Sequence, residues 1–308
     1  MSGILDQLYP PKTSFTELEL PDQTGKVLLI TGGASGLGFE APRCSTKGTA
    51  QSTSPPAPAR RKARHQGSAR GFPDSPGRLE YIIVDLADLT TVRHVAEELL
   101  RKESRLDVLF QKAGVMNTPR DNKTNQGDEL QMGTNAIAPH LLARCLQDVL
   151  VRTAQKENGE GRTGTVRIVS LASMVAVGTP KGGVIFDESG KPKLSGASLD
   201  NYVQSKSGNI YLANEWASRL GDKGVVSVVV NPGMGLLMKL ARYGAYTQLF
   251  AALSPEVTPA HNGGFIVPWG RFDVLPGHIE KEIRPAGDKE IGISRQFWDY
   301  CKGAVNGF

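Results

Sequence analysis

Short apolar runs alternate along the chain with longer stretches that carry apolar residues on one helical face. Lys26-Val-Leu-Leu-Ile-Thr31 is a compact apolar run ending in glycines, which predicts a buried strand. The stretch from Gly36 to Glu40 is expected to open a helix. Glu80-Tyr-Ile-Ile-Val-Asp85 reads as a second buried strand, after which Asp88 caps a helix with Val92, Val95 and Leu99 on one face. Leu106–Phe110, Val166–Leu171 and the nearly pure valine run Val225–Val230 are further strands, and Phe265-Ile-Val-Pro268 is a candidate last one. Helices are expected over most of Gly127–Val151, with Leu130, Leu141, Leu142 and Leu146 on apolar positions, and over Asp200–Leu220. Apolar strands alternating with helices of this length imply an α/β fold, a parallel sheet covered on both faces.

One stretch breaks the alternation. From Arg43 through Gly71 there is no Val, Ile, Leu, Met, Phe, Tyr or Trp, only Ser, Thr, Pro, Ala, Arg, Gly and similar residues. Such a segment buries too little surface to offset its ordering entropy, so it is expected to be disordered. A sheet of this kind takes its second strand from there, so that strand is expected to be missing. We therefore divide the chain into an N-terminal extension, 1–24, and one domain, 25–300, interrupted by a basic segment over 43–75. The abrupt change of composition is read either as a shifted or mis-spliced reading frame or as a genuine insertion.

The same stretch explains the charge. Of the 308 residues, 36 are Lys or Arg and 31 Asp or Glu, a formal +5. Seven Lys/Arg and no Asp/Glu lie between Arg43 and Arg70, so the rest of the chain carries −2. The basicity is local. Arg60-Arg-Lys-Ala-Arg64 looks like an import or RNA-binding tract, but no aromatics are interleaved for base stacking, and a nucleic-acid partner is not expected. Cys44, Cys145 and Cys301 are widely spaced, giving neither a disulfide framework nor metal-ligand spacing. No signal-peptide pattern and no apolar run of membrane-spanning length are seen, so the expectation is a soluble cytoplasmic protein without a metal.

Two motifs carry chemistry. Thr31-Gly-Gly-Ala-Ser-Gly-Leu-Gly38 follows the first strand, where glycines let backbone N–H groups approach a pyrophosphate at the positive end of a helix. Far downstream, Asn201-Tyr-Val-Gln-Ser-Lys206 places a phenol and an ammonium four residues apart, about 5–6 Å from one another on one helical face. The cation favours the phenolate, so the Tyr202 pKa is expected to fall toward neutrality.

Together these residues resemble the short-chain dehydrogenase/reductase family, in particular its retinol-dehydrogenase-like branch common in fungi, over residues 20–42 and 77–300. The resemblance implies a Rossmann-type doubly wound parallel sheet and a nicotinamide cofactor, NADP with NAD as the alternative. It implies catalytic roles for Ser173, Tyr202, Lys206 and Asn135. Tyr202 trades the proton and Lys206 lowers its pKa and binds ribose. Ser173, in Ile168-Val-Ser-Leu-Ala-Ser173, polarises the carbonyl, with Ser170 as the neighbour to distinguish from it. Asn135, in Gly133-Thr-Asn-Ala136, orders a water. The implied cofactor contacts are Gly32, Ser35, Gly36, Leu37, Gly38, Asp85, Lys112, Gly114, Tyr202, Lys206, Pro232 and Gly233, and the resemblance implies that Asn231-Pro-Gly233 covers the nicotinamide. Asp85, which is otherwise a plain strand-end cap, would meet the adenine.

Three departures from the family pattern stand out. The second strand is absent, and with it the residue that selects between cofactors. The family's Asn-Asn-Ala-Gly reads Gln111-Lys112-Ala113-Gly114, and the threonine after its Pro-Gly is replaced in Asn231-Pro-Gly-Met-Gly-Leu-Leu237. The region Met238–Leu249 also looks short. The expected function is oxidoreduction between a carbonyl and an alcohol on a small lipophilic molecule, in secondary metabolism by family analogy. A catalytically impaired relative acting as a binding or scaffold protein is the alternative. Phe250, Trp269, Phe272, Phe297, Trp298 and Tyr300 either line an apolar pocket or are core. A homodimer follows from the resemblance alone.

Overall fold

The apolar runs become the strands of one sheet. The computed structural model describes residues 6–33 (without 8, 12 and 17), 49–54, 78–178, 182–233, 241–283 and 291–308. Its strands are β1 (Val27–Thr31), β2 (Thr49–Ser54), β3 (Leu79–Ile83), β4 (Val108–Gln111), β5 (Arg167–Leu171), β6 (Val226–Val230), β7 (Phe265–Val267) and β8 (Arg271–Asp273). They lie in the order β3-β2-β1-β4-β5-β6-β7-β8, parallel except for the antiparallel β7–β8 pair. The helices are α1 (Leu89–Lys102), α2 (Ala138–Gly159), α3 (Ser198–Leu220), α4 (Ala241–Leu253), α5 (Gly277–Ile283) and α6 (Ile293–Ala304). This is the expected doubly wound α/β fold; the six strands read from the sequence end within three residues of their predicted positions, and β8 was not foreseen.

The period of two explains how four consecutive apolar residues serve two cores. Val27 and Leu29 join the cluster formed with α1, α2, α3 and α6, whereas Leu28 and Ile30 point to the opposite cluster with Tyr246, Leu249 and Phe250 of α4. Asp88 caps α1 as expected, its side chain accepting from Thr90 N.

The second-strand position is a correction. It is filled by Thr49–Ser54, from inside the interrupted stretch, which pairs in parallel with β1 on one side and β3 on the other. Apolar content misled because a strand held on both sides has its backbone donors and acceptors satisfied by its neighbours, independently of side-chain burial. The expected disorder of 43–48 and 55–75, including Arg60–Arg64, and the helix opening at Gly36–Glu40 lie outside the described residues.

The N-terminal extension packs against the sheet. Phe15 is buried and meets Phe250 edge-on, ring centroids 5.6 Å apart. Of the C-terminal aromatics, Phe250, Phe297 and Trp298 are buried core rather than pocket wall. Trp298 sits 4.8 Å from Trp216 of α3 and 4.6 Å from His140 of α2, fastening α6 to the other two helices.

Candidate active site

The described candidate residues gather beyond the carboxyl ends of β1, β4, β5 and β6, with Asp85 apart after the edge strand β3; the strand order reverses between β1 and β4, the place where open sheets of this kind form a crevice. Thr31 builds its floor. The Thr31 hydroxyl donates to Phe110 O (3.3 Å) and accepts from the backbone N–H groups of Lys112 (2.9 Å) and Ala113 (3.0 Å). Gly32 follows with φ +72°, and a Cβ there would stand 3.1 Å from Ala113 Cα and Cβ, so only glycine lets these two loops approach. Ser35, Gly36, Leu37 and Gly38 of the glycine turn lie outside the described residues, as do 234–237 after the Pro-Gly.

Gln111 takes over the strand-tying task that the resemblance gives to an asparagine. Its Nε2 donates to Pro139 O (2.6 Å) at the start of α2, and its Oε1 accepts from Ser170 Oγ (3.0 Å). That bond also separates the two serines. Ser170 is buried and engaged with Gln111, whereas Ser173 neighbours Tyr202 and acts to lower the pKa of its phenol.

Tyr202 and Lys206 occupy the first turns of α3, with the Lys206 Nζ 5.8 Å from the Tyr202 ring centroid. The proximity is as the spacing predicts, but the electrostatics differ. Burial pushes the Tyr202 phenol above its ordinary value, and the Ser173 hydrogen bond offsets this only in part. Lys206 is 3% exposed and its Nζ donates to Leu171 O (3.0 Å). Burial, then repulsion from Lys112, lowers its pKa to about 8. The expected fall of the tyrosine pKa is therefore not found in the free protein, because desolvation outweighs a cation that is engaged elsewhere.

Asn135 sits in a π-helical turn, Gly133–Ile137, just ahead of α2. Its Oδ1 accepts from Val115 N (2.8 Å), and its Nδ2 donates to Val115 O (2.9 Å) and Ser205 Oγ (3.0 Å). The Ser205 hydroxyl in turn donates to Tyr202 O (2.7 Å), so the asparagine joins the loop after β4 to the helix of Tyr202. Gly114 lies between them: a Cβ on it would meet Asn135 Oδ1 at 2.7 Å and Lys206 Nζ at 3.6 Å.

Lys112 is half-buried at the crevice, and burial lowers its pKa to about 8. The Lys112 charge acts on Lys206, so two ammoniums lie near one another, an arrangement that favours an anion. Asp85 lies at the far end, after β3, with its Oδ1 accepting from Ala87 N (3.0 Å); the cap reading holds for that oxygen. Past β6, Asn231 closes a turn in which its Oδ1 accepts from Gly233 N (3.0 Å), with Gly233 at φ +85° and Pro232 between them.

Sequence reasoning missed two buried polar centres. Gln7, from the N-terminal extension, accepts from Asn231 Nδ2 at 2.7 Å, and nothing in its surroundings marks it. Arg167 sends its guanidinium to the carbonyls of Gly164, Ala251, Ser254 and Val257 at 2.8–3.1 Å. A charged residue opening an apolar strand was the one available signal. Among the described residues no group of His, Cys, Asp and Glu is arranged to hold a metal, and no helix is long and apolar enough to cross a membrane.

A family model described as short chain dehydrogenase matches residues 26–238. The short-chain dehydrogenase/reductase bet4 of Neocamarosporium betae is 34% identical over 331 aligned positions, covering 100% of this chain and 94% of the relative. The short-chain dehydrogenase/reductase pkfC of Emericella nidulans is 37% identical over 325 positions, covering 97% and 98%. Among solved structures, an uncharacterized protein from Mycobacterium paratuberculosis superposes with a TM-score of 0.68 at 22% identity, covering 95% and 97% of the two chains. NADPH-bound carbonyl reductase from chicken fatty liver gives 0.60 at 18% identity, covering 82% and 100%. Sequence likeness of this extent, on a sheet with this strand order and crevice, shows that the chain belongs to the short-chain dehydrogenase/reductase family, a family of oxidoreductases.

Proposed function

We propose that the protein interconverts a carbonyl and an alcohol with a nicotinamide dinucleotide, NADP in the first instance and NAD as the alternative. The observation that carries this reading is the gathering of Ser173, which favours the Tyr202 phenolate, Tyr202 itself and a buried Lys206 whose Nζ lies 5.8 Å from the phenol ring. The crevice fits such a cofactor: Gly32 permits the close approach of two loops, and the Lys112 and Lys206 ammoniums attract negative charge. Gly32, Lys112, Gly114, Lys206, Pro232 and Gly233 would hold it, with Asp85 at the adenine end. When bound, the dinucleotide supplies or accepts the hydride.

The chain's own residues manage the proton. Tyr202, held protonated by its dry surroundings, is poised to donate to the oxygen of a carbonyl, which suits the reductive direction. Ser173 donates to the same oxygen and polarises it. Lys206, charged at neutral pH and one helical turn away, stabilises the phenolate left behind. Asn135 fixes the loop after β4 against α3, which keeps Tyr202 and Lys206 in register with the crevice. General acid help of this kind contributes about 10²–10⁴ in rate. The substrate is a small lipophilic molecule, and the setting by analogy with the fungal relatives is secondary metabolism in the cytoplasm.

The impaired-relative reading keeps one observation in its favour, the upward displacement of the Tyr202 pKa. Titration of the protein with NADPH and NADH, followed by fluorescence and thermal stabilisation, separates the two. We expect saturable binding of at least one, and Tyr202→Phe to retain that binding while turnover of a test carbonyl is lost. Binding without turnover in the unaltered protein establishes the impaired relative; a folded protein that binds neither refutes the cofactor reading.

A further inference from the structure

We propose that Gln7 is a positioning residue of the nicotinamide end of the site, so that the N-terminal extension is part of the machinery rather than an appendage. The inference rests on the cofactor reading above and deepens it.

The argument begins at Asn231. This residue is 0% exposed at the end of β6, the innermost point of the Asn231-Pro232-Gly233 turn. Its backbone N–H is taken by Ile266 O (2.8 Å) and its side-chain oxygen by Gly233 N (3.0 Å). The side-chain NH2 has no access to water. Gln7 Oε1, itself on a residue only 2% exposed, accepts from it at 2.7 Å across 224 positions of sequence. A buried donor stripped of its acceptor pays the desolvation penalty in full, so Asn231 without Gln7 is driven to turn its amide elsewhere. The same amide closes the Gly233 turn, so its rotation opens that turn.

Other contacts hold Gln7 in place. Arg271 of β8 donates from Nη2 to Asp6 O (2.8 Å) and from Nε to Pro268 O (2.8 Å), clamping the backbone beside Gln7 to the β7–β8 connection. Further along, Phe15 is seated in the core against Phe250. The extension is thus fastened at two points, and between its anchors it presents one amide oxygen to the turn after β6. A strap serving only for stability would be completed by Phe15; the buried amide-to-amide bond is directed at the Pro-Gly turn itself.

The test compares ligands that do and do not reach that turn. Binding of NADPH and NADH, and of ADP-ribose and its 2′-phosphate, which lack nicotinamide, is measured by calorimetry for the full chain and for Gln7→Leu, Gln7→Asn and Gln7→Glu. We expect Gln7→Leu to weaken the preferred dinucleotide about tenfold while the nicotinamide-free ligands stay within about twofold. Gln7→Asn, one methylene too short to reach Asn231, gives the same split and carries the comparison should the leucine variant not fold. Gln7→Glu keeps an acceptor oxygen at the same reach and restores binding. Equal losses for both ligand types, or no loss in either short variant, overturn the inference while leaving the cofactor reading standing. Failure of the unaltered protein to bind any of the four ligands overturns both.

Discussion

Replacing Lys206 with methionine removes a charge that the fold holds unfavourably. Burial, with repulsion from Lys112 second, lowers the Lys206 pKa from 10.5 to about 8. The folded chain therefore holds the proton less tightly than the unfolded chain, and the charged lysine opposes folding at every pH below the folded value. That opposition is about 3 kcal/mol near neutrality, at roughly 1.4 kcal/mol per pH unit. Methionine keeps the apolar stem and loses the hydrogen bond to Leu171 O, about 1 kcal/mol. Leu171 O still receives Asn209 Nδ2 at 2.9 Å, so no carbonyl is stranded. The net expectation is a protein more stable by about 2 kcal/mol near neutral pH, and inactive.

The pH dependence supplies the sharper check. As pH rises from about 8 to 10.5 the folded lysine is already neutral while the unfolded one is still charged, so the native protein gains stability that the methionine variant cannot. The gap between the two narrows through that window and reverses above it by about 1 kcal/mol, the remaining hydrogen bond. Urea denaturation of both proteins at about pH 7, 8.5 and 10 measures it, and titrating groups other than Lys112, which is coupled to Lys206, cancel in the difference. A variant less stable than the native protein near neutrality, or a gap that does not change with pH, refutes the assignment of Lys206 as a desolvated cation.

Two further outcomes follow from packing. Arg167→Met takes its donor from the buried carbonyls of Gly164, Ala251 and Val257, while Ser254 O keeps Val257 N at 3.2 Å, and is expected to lose on the order of 3 kcal/mol in urea denaturation. Gly114→Ala drives a methyl to 2.7 Å from Asn135 Oδ1, an atom fixed by its bond to Val115 N, and is expected to cost about 1–3 kcal/mol and to weaken dinucleotide binding. Thermal denaturation with and without NADPH reads both effects.

How much was legible varied with the physics involved. The valine run of β6 and the capped amphipathic α1 declare themselves, because burial on a regular element imprints its period on the sequence. The Tyr202–Lys206 proximity was readable from spacing, since a helix fixes it. The sign of the Tyr202 shift was not, because it depends on how much water the rest of the fold excludes. β2 was hidden because its place is set by backbone ladders to partners 22 and 29 positions away in register, Val27 opposite Thr49 and Ala50 opposite Leu79. Gln7 and Arg167 were invisible for a related reason: their partners are brought together only by the closed sheet.

The unequal burial of the sheet has a consequence for how it comes apart. All five residues of β1 are buried, whereas in β3 only Ile82 is, and β2 between them is joined to both by backbone pairing. Local opening follows the weakest contacts, so the β2–β3 flank is the unit that exchanges its amides and exposes a bare β1 edge while β4, β5 and β6 remain closed. Asp85, on the turn that leaves β3, shares the fate of that flank, and a ligand bridging it to the central strands would act as a clasp across the seam.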